Sequence, residues 1–186
     1  MSQILKKNLA FIDVETTGLN PDIHEIIELG CVIVSQEGVG SGKPVFKVIG
    51  EIDLKIKPEH IENADPVALR VNGYDEADWV FAYSLREAMT VLSEKAGDAI
   101  MVGHNVSFDA GFIEKAFRST SVENKLHYHK LDTISIAFAK LHLNVDVDKF
   151  SLNFLCSHFG IENKKAHSAL SDARATFELY EKLLCL

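Results

Sequence analysis

Hydrophobic positions along this chain first alternate with polar ones and later recur at helical spacing. Residues 9–14 and 27–34 are rich in Ile and Val and read as strands. Residues 36–44 form a glycine-rich turn, and 45–56 resume as an alternating strand. Connections this short favour antiparallel neighbours, so the three strands form a meander. Residues 58–78 make a polar connector with turn signals at Asp65-Pro66 and Asn72-Gly73. A helix is predicted over 84–96, with Ser84 as N-cap, Glu87 completing a capping box, and Leu85, Ala88 and Leu92 on one face. A short buried strand at 99–102 precedes a helix over 107–117 with Ser107 as N-cap. A brief strand ends near Leu131, and helices follow at 133–141, 152–159 and 169–184. A meander followed by strand–helix alternation gives an α/β fold with a mixed sheet flanked by helices.

Two acids interrupt the first strand. Asp13 and Glu15 stand two residues apart at the end of an apolar run, and i and i+2 on a strand face the same way. Carboxylates that close repel unless a cation or a proton intervenes, and a divalent metal is the simplest resolution. A strand end emerging into solvent would tolerate the same pair, so this fragment leaves both readings open.

Composition narrows the setting. The 186 residues suit one domain spanning 1–186, and 47% hydrophobic with 25% charged residues is ordinary for a soluble protein. Apolar runs of membrane-spanning length and a signal-peptide pattern at the amino terminus are both lacking. Three cysteines (Cys31, Cys156 and Cys185), an odd number with no Cys-x-x-Cys, read as thiols of a reducing, cytoplasmic compartment. The net charge of −8 argues against broad electrostatic capture of a polyanion, so nucleic-acid chemistry has to be argued from a site.

Three further segments carry candidate chemistry. Gly38 to Pro44 superficially resembles a phosphate-binding loop, but Glu37 stands where the first glycine belongs and Pro44 replaces the metal-binding hydroxyl, leaving a hairpin loop. His104-Asn105-Val106-Ser107-Phe108-Asp109 puts an acid in a helix's first turn, where opposing the helix dipole is reason enough for it. His167-Ser168-Ala169-Leu170-Ser171-Asp172 holds a histidine and an acid five residues apart. On one regular helix they would diverge by roughly 140°, so they meet only if His167 lies on the preceding loop and Ser168 caps the helix. Alone, the Asp109 segment and the His167–Asp172 segment each read more readily as structural than as catalytic.

Together, Asp13-Val14-Glu15-Thr16-Thr17-Gly18-Leu19, the Asp109 segment and the His167–Asp172 segment resemble, in order and spacing, the DEDDh (DnaQ-like) superfamily of 3′→5′ exonucleases. The resemblance spans residues 11–172 and implies a ribonuclease H-like fold. It implies that Asp13, Glu15 and Asp172 ligate one of two divalent ions (Mg²⁺ or Mn²⁺), that Asp13 reaches the second with support from Asp109, and that His167 is the general base. Thr16 and Leu19 would contact the 3′-terminal nucleotide, and Phe108 would pack under a base or in the core. His104 and Asn105 would order the second motif. The implied partners are 3′ ends of single-stranded DNA or RNA, with DNA favoured, and for the proofreading branch a DNA polymerase; a homodimer is compatible with this. The first motif looks most like the proofreading subunit of bacterial replicative polymerases, while the third also resembles ribonuclease T, which keeps RNA 3′-end trimming as an alternative. Thr16 stands where oligoribonucleases carry Met. The chain ends soon after the third-motif helix, an expectation of a stand-alone nuclease. A non-catalytic nucleic-acid-binding fold-mate and a small-nucleotide phosphodiesterase are the readings from other classes.

Overall fold

The computed structural model describes residues 6–37, 45–163 and 168–186. The glycine-rich turn over 38–44 lies outside the described residues. Five strands form one sheet in the order β3-β2-β1-β4-β5. Strands β1 (Leu9–Thr16), β2 (Ile26–Glu37) and β3 (Val45–Lys55) make the antiparallel meander that short connections require. Strands β4 (Ile100–Gly103) and β5 (Lys130–Asp132) add in parallel on the other side of β1. The sheet is therefore mixed, as the pattern predicts.

Alternation along β1 decides what faces what. Ala10, Ile12 and Val14 pack with Leu29, Cys31 and Ile33 of β2 against α2 (Leu85–Lys95) and α3 (Val106–Thr120), through Ala88, Met89, Leu92, Phe112, Ile113 and Phe117. Leu9 and Phe11 point the other way, with Val32 and Val34, onto Leu170, Ala173 and Tyr180 of α6 (Ala169–Leu184). Continuing that alternation puts Asp13 and Glu15 on the α6 face, beyond the apolar cluster. Helices α4 (Thr133–Leu141) and α5 (Leu152–Phe159) close a third cluster around Ala137, Leu155 and Leu179.

Three expectations are corrected. Strand β1 runs on through Glu15 to Thr16, with a register shift between them. The polar connector contains a helix, α1 (Pro66–Asn72): Asp65 Oδ1 accepts from the Val67 N–H at 2.7 Å, Pro66 opens the helix, and Gly73 ends it at φ 69°. Asp65-Pro66 and Asn72-Gly73 are thus its start and stop rather than two turns. Ser107 does not cap α3. The helix begins one residue earlier, behind Asn105 at φ 69°, whose side chain makes no cap bond. Trp79, for which the sequence suggests no role, is buried, donates from its indole N–H to the Ile27 carbonyl at 3.0 Å, and lies under the Lys55 ammonium. It fastens the connector to β2. Among the described residues no helix is long and apolar enough to cross a membrane.

Candidate active site

The site lies where β1 outruns its parallel neighbour. Pairing with β4 extends from Leu9–Ile100 to Phe11–Val102, so the strand beyond Phe11 needs another partner on that edge. The Val14 N–H finds one in Asp109 Oδ1, at 3.0 Å. Asp109 is thereby fixed between Asp13 and Glu15 along the strand, although it comes from the helix on the opposite face.

On the α6 face, Asp13, Glu15 and Asp172 converge. Each offers a carboxylate oxygen, and these atoms all lie within 4.8 Å of one another. Glycine makes this approach possible. Gly30 is the register partner of Asp13, and a Cβ there would sit 2.1–2.3 Å from backbone atoms of Ala169 and Leu170. Only a residue without a side chain lets the first turn of α6 lie that close to β2. The Asn163 side-chain amide donates to Asp172 Oδ1 at 2.5 Å and accepts from the Ser171 hydroxyl at 2.9 Å, which fixes the carboxylate's orientation.

Burial, with repulsion from neighbouring acids, pushes Glu15, Asp13 and Asp109 toward their protonated forms. Glu15 is raised to about 8, first by burial and then by Asp172, Glu28 and Asp109. Asp13 is raised well above the usual carboxylate range, again first by burial and then by Asp109, Asp172, Glu15 and Glu28. Asp109 rises to about 7 through burial, against the lowering effect of the N–H groups it accepts from. Hard oxygen donors gathered at this spacing suit a divalent cation, which would relieve the repulsion that otherwise holds protons on the cluster.

The remaining expected residues take varied places. Thr16 is buried, and its hydroxyl donates to the Gly18 carbonyl at 2.7 Å while its own carbonyl accepts from the Asn72 side chain at 3.0 Å. Leu19 is 78% exposed. Phe108 is half-buried, its ring 5.1 Å from that of Phe112 and packed on the core under the second motif. His104 sits between Thr133 Oγ1 and the Phe150 carbonyl, each at 2.8 Å, which ties the second motif to the start of α4 and to the segment leading into α5. His167 lies outside the described residues.

Two acids escape the sequence reading. Glu28 is the register partner of Glu15, is buried, and its Oε2 accepts from the Ala169 N–H at 3.3 Å. Asp132 accepts from the N–H groups of Asn105 (3.3 Å), Val106 (3.2 Å) and Ile134 (2.8 Å), so it caps both α3 and α4. Glu28 could have been noticed as the one acid inside the apolar run of β2, where an unpaired charge would be costly. Asp132 carries no such signal, because its role depends on where β5 lies.

A family model described as Exonuclease matches residues 10–180. DNA polymerase III PolC-type of Staphylococcus aureus is 29% identical over 172 residues, and that of Staphylococcus saprophyticus is 30% identical over 172 residues. In both, the match takes in 92% of this chain and 11% of the relative, so the chain spans about a ninth of the length of these curated proteins. Among solved structures, Escherichia coli exonuclease I in complex with a dT13 oligonucleotide superposes with a TM-score of 0.77 at 19% identity, covering 95% of this chain and 41% of that one. Exonuclease I from Methylocaldum szegediense gives 0.74 at 20% identity, covering 96% and 40%. These structures share the ribonuclease H-like fold. With its three motifs in order and its sequence matched from residue 10 to residue 180, the chain belongs to the exonuclease family, within the DnaQ-like 3′→5′ exonuclease superfamily.

Proposed function

We propose that this protein is a metal-dependent exonuclease that removes nucleoside 5′-monophosphates from the 3′ end of single-stranded nucleic acid, with DNA the favoured substrate. The observation that carries the reading is the convergence of Asp13, Glu15 and Asp172 from two separate elements, with their oxygens within 4.8 Å of one another. Two divalent ions, Mg²⁺ or Mn²⁺, when bound in such a site lower the pKa of a water and stabilise charge on the attacking and leaving oxygens. Asp13, Glu15 and Asp172 would hold one ion. Asp13, backed by Asp109, would reach toward the other. His167 would accept the proton of the attacking water, a task suited to an imidazole with an ordinary pKa of about 6.5. Exposed Leu19 would wedge against the terminal base, Thr16 would shape the turn beneath it, and Phe108 would support the base from the core side. Preference for DNA is supported by relatives that are DNA polymerases and by a structural neighbour that holds a dT13 oligonucleotide. A DNA polymerase is a partner of the same reading. The free thiols of Cys31, Cys156 and Cys185 fit a cytoplasmic setting.

The test is a time course on matched single-stranded DNA and RNA labelled at the 5′ end. A ladder shrinking from the 3′ side, faster for DNA, is expected. It should vanish in EDTA, return with Mg²⁺ or Mn²⁺, and be absent in folded Asp13→Ala and Asp172→Ala. Full activity in either variant, or an internal cut, overturns the proposal; faster loss of RNA instead assigns RNA 3′-end trimming.

A further inference from the structure

The acid-bearing helix α6 has a local cap candidate that makes no cap bond. Ser168 occupies the N-cap position without a side-chain hydrogen bond, and the Ala169 N–H points instead to Glu28 Oε2 on β2. Glu28 and Gly30 alternate with Leu29 and Cys31, so they lie on the face that also carries Asp13 and Glu15. The register sets Glu28 opposite Glu15 and Gly30 opposite Asp13. Gly30 lets the α6 backbone approach, and Glu28 supplies an anchor for its first N–H. Four positions in two adjacent strands thus meet one helical turn, and that turn presents Asp172.

We propose that Glu28 is a positioning residue: by accepting the Ala169 N–H it docks the first turn of α6 on β2 and so holds Asp172 at the distance from Asp13 and Glu15 that a divalent ion requires. This rests on the metal-cage reading above. The carboxylate has a reason to be buried there, because a helix N-terminus attracts negative charge and its first N–H groups lack intrahelical partners. Outer partners that orient metal ligands typically change affinity 10–100-fold when removed. Glu28 acts through Asp172 rather than on substrate.

The experiment measures Mn²⁺ binding to the full chain by calorimetric titration and by the Mn²⁺-induced rise in Tm, independently of turnover. Glu28→Ala is expected to bind Mn²⁺ roughly 10–100-fold more weakly. Glu28→Gln keeps a carbonyl acceptor for the Ala169 N–H and should restore binding to within about threefold of the native protein. Glu87→Ala, which breaks the α2 capping box far from the acids, should lower Tm and leave Mn²⁺ affinity unchanged. Native affinity in Glu28→Ala overturns the proposal, as does Glu28→Gln as weak as Glu28→Ala, which would make charge the cause. If Glu28→Ala does not fold, Glu28→Asp withdraws the acceptor by one methylene and must weaken Mn²⁺ binding; native affinity there overturns the proposal equally. Failure of the cage itself looks different: the native chain would not bind Mn²⁺, or Asp13→Asn would bind it as well as the native chain.

Discussion

At the scale of single residues, the site is a stability cost in search of a cation. Glu15 at about 8 and Asp109 at about 7 lie above their unfolded values of roughly 4.3 and 3.9. The folded chain therefore keeps protons that the unfolded chain has released. The resulting stabilisation is complete below about pH 4 and is lost as the pH rises through 7 and 8. In EDTA, calorimetric Tm should fall by several degrees between pH 5 and pH 8.5, and Mn²⁺ should restore it at the alkaline end. Because metal binding must displace these protons, Mn²⁺ affinity should climb over the same interval. Asp13→Asn removes one repelling charge, so at pH 8 in EDTA it should melt above the native protein while releasing no mononucleotide. A pH-independent Tm in EDTA would contradict the burial of charge at this site. Leu19 makes the opposite case. At 78% exposure it contributes little to the core, so Leu19→Ala should leave Tm within about 1–2 °C, since surface changes stay within roughly 0.5 kcal/mol. It should nonetheless raise KM for a single-stranded oligonucleotide several-fold; an unchanged KM removes Leu19 from the substrate site.

At the scale of elements, what could be read from the sequence separates by the range of the cause. Strands and long helices follow from periodicity, and the capping box of α2 is written in four consecutive residues, Ser84 to Glu87. The convergence of Asp13, Glu15 and Asp172 follows from the motif resemblance and not from the strand itself, since Asp-x-Glu alone fits a solvated strand end equally well. At the two helix starts the local choice gives way to distant partners: Ser107 does not cap α3, and Ser168 holds the N-cap position of α6 without a side-chain bond, while Asp132 and Glu28 accept the first N–H groups from other strands. Helix α1 is illegible for another reason: it is seven residues long and buries none of them, so it has no apolar stripe. Gly30 shows the same dependence on distant structure. In sequence it is one glycine in an apolar run, yet a Cβ there would stand 2.1 Å from the Ala169 carbonyl carbon. Gly30→Ala must push α6 away from β2. The expected loss is about 1–3 kcal/mol, the usual range for overpacking, visible as a lower denaturant midpoint. Mn²⁺ affinity should drop as well, because Asp172 travels with the helix. Gly50, in β3, has as its nearest neighbour only the tip of Ile33, at 3.7 Å, so Gly50→Ala should be tolerated and serves as the matched comparison.

At the scale of the whole molecule, the proposed function asks an acidic chain to bind a polyanion. A net charge of −8 supplies no general attraction for nucleic acid, and the candidate site adds three converging carboxylates. Single-strand binding that relies on neutralising Z phosphates with basic residues weakens with salt at a slope of about −0.7Z on a log–log plot. A broad basic surface making 6–10 phosphate contacts would therefore give a slope of roughly −4 to −7. Here the attraction would be confined to the cations held by the acids, to apolar contacts such as Leu19, and to a few phosphates near the 3′ end. KM for a single-stranded oligonucleotide, measured at saturating Mn²⁺ between about 50 and 200 mM salt, should thus vary with a slope of magnitude near 2 or less. It should depend little on oligonucleotide length beyond the few nucleotides that reach the site. A steep slope, or a KM that keeps falling with length, would mean that an extended cationic track carries the substrate, and the acids would then be the place of chemistry without being the main source of grip.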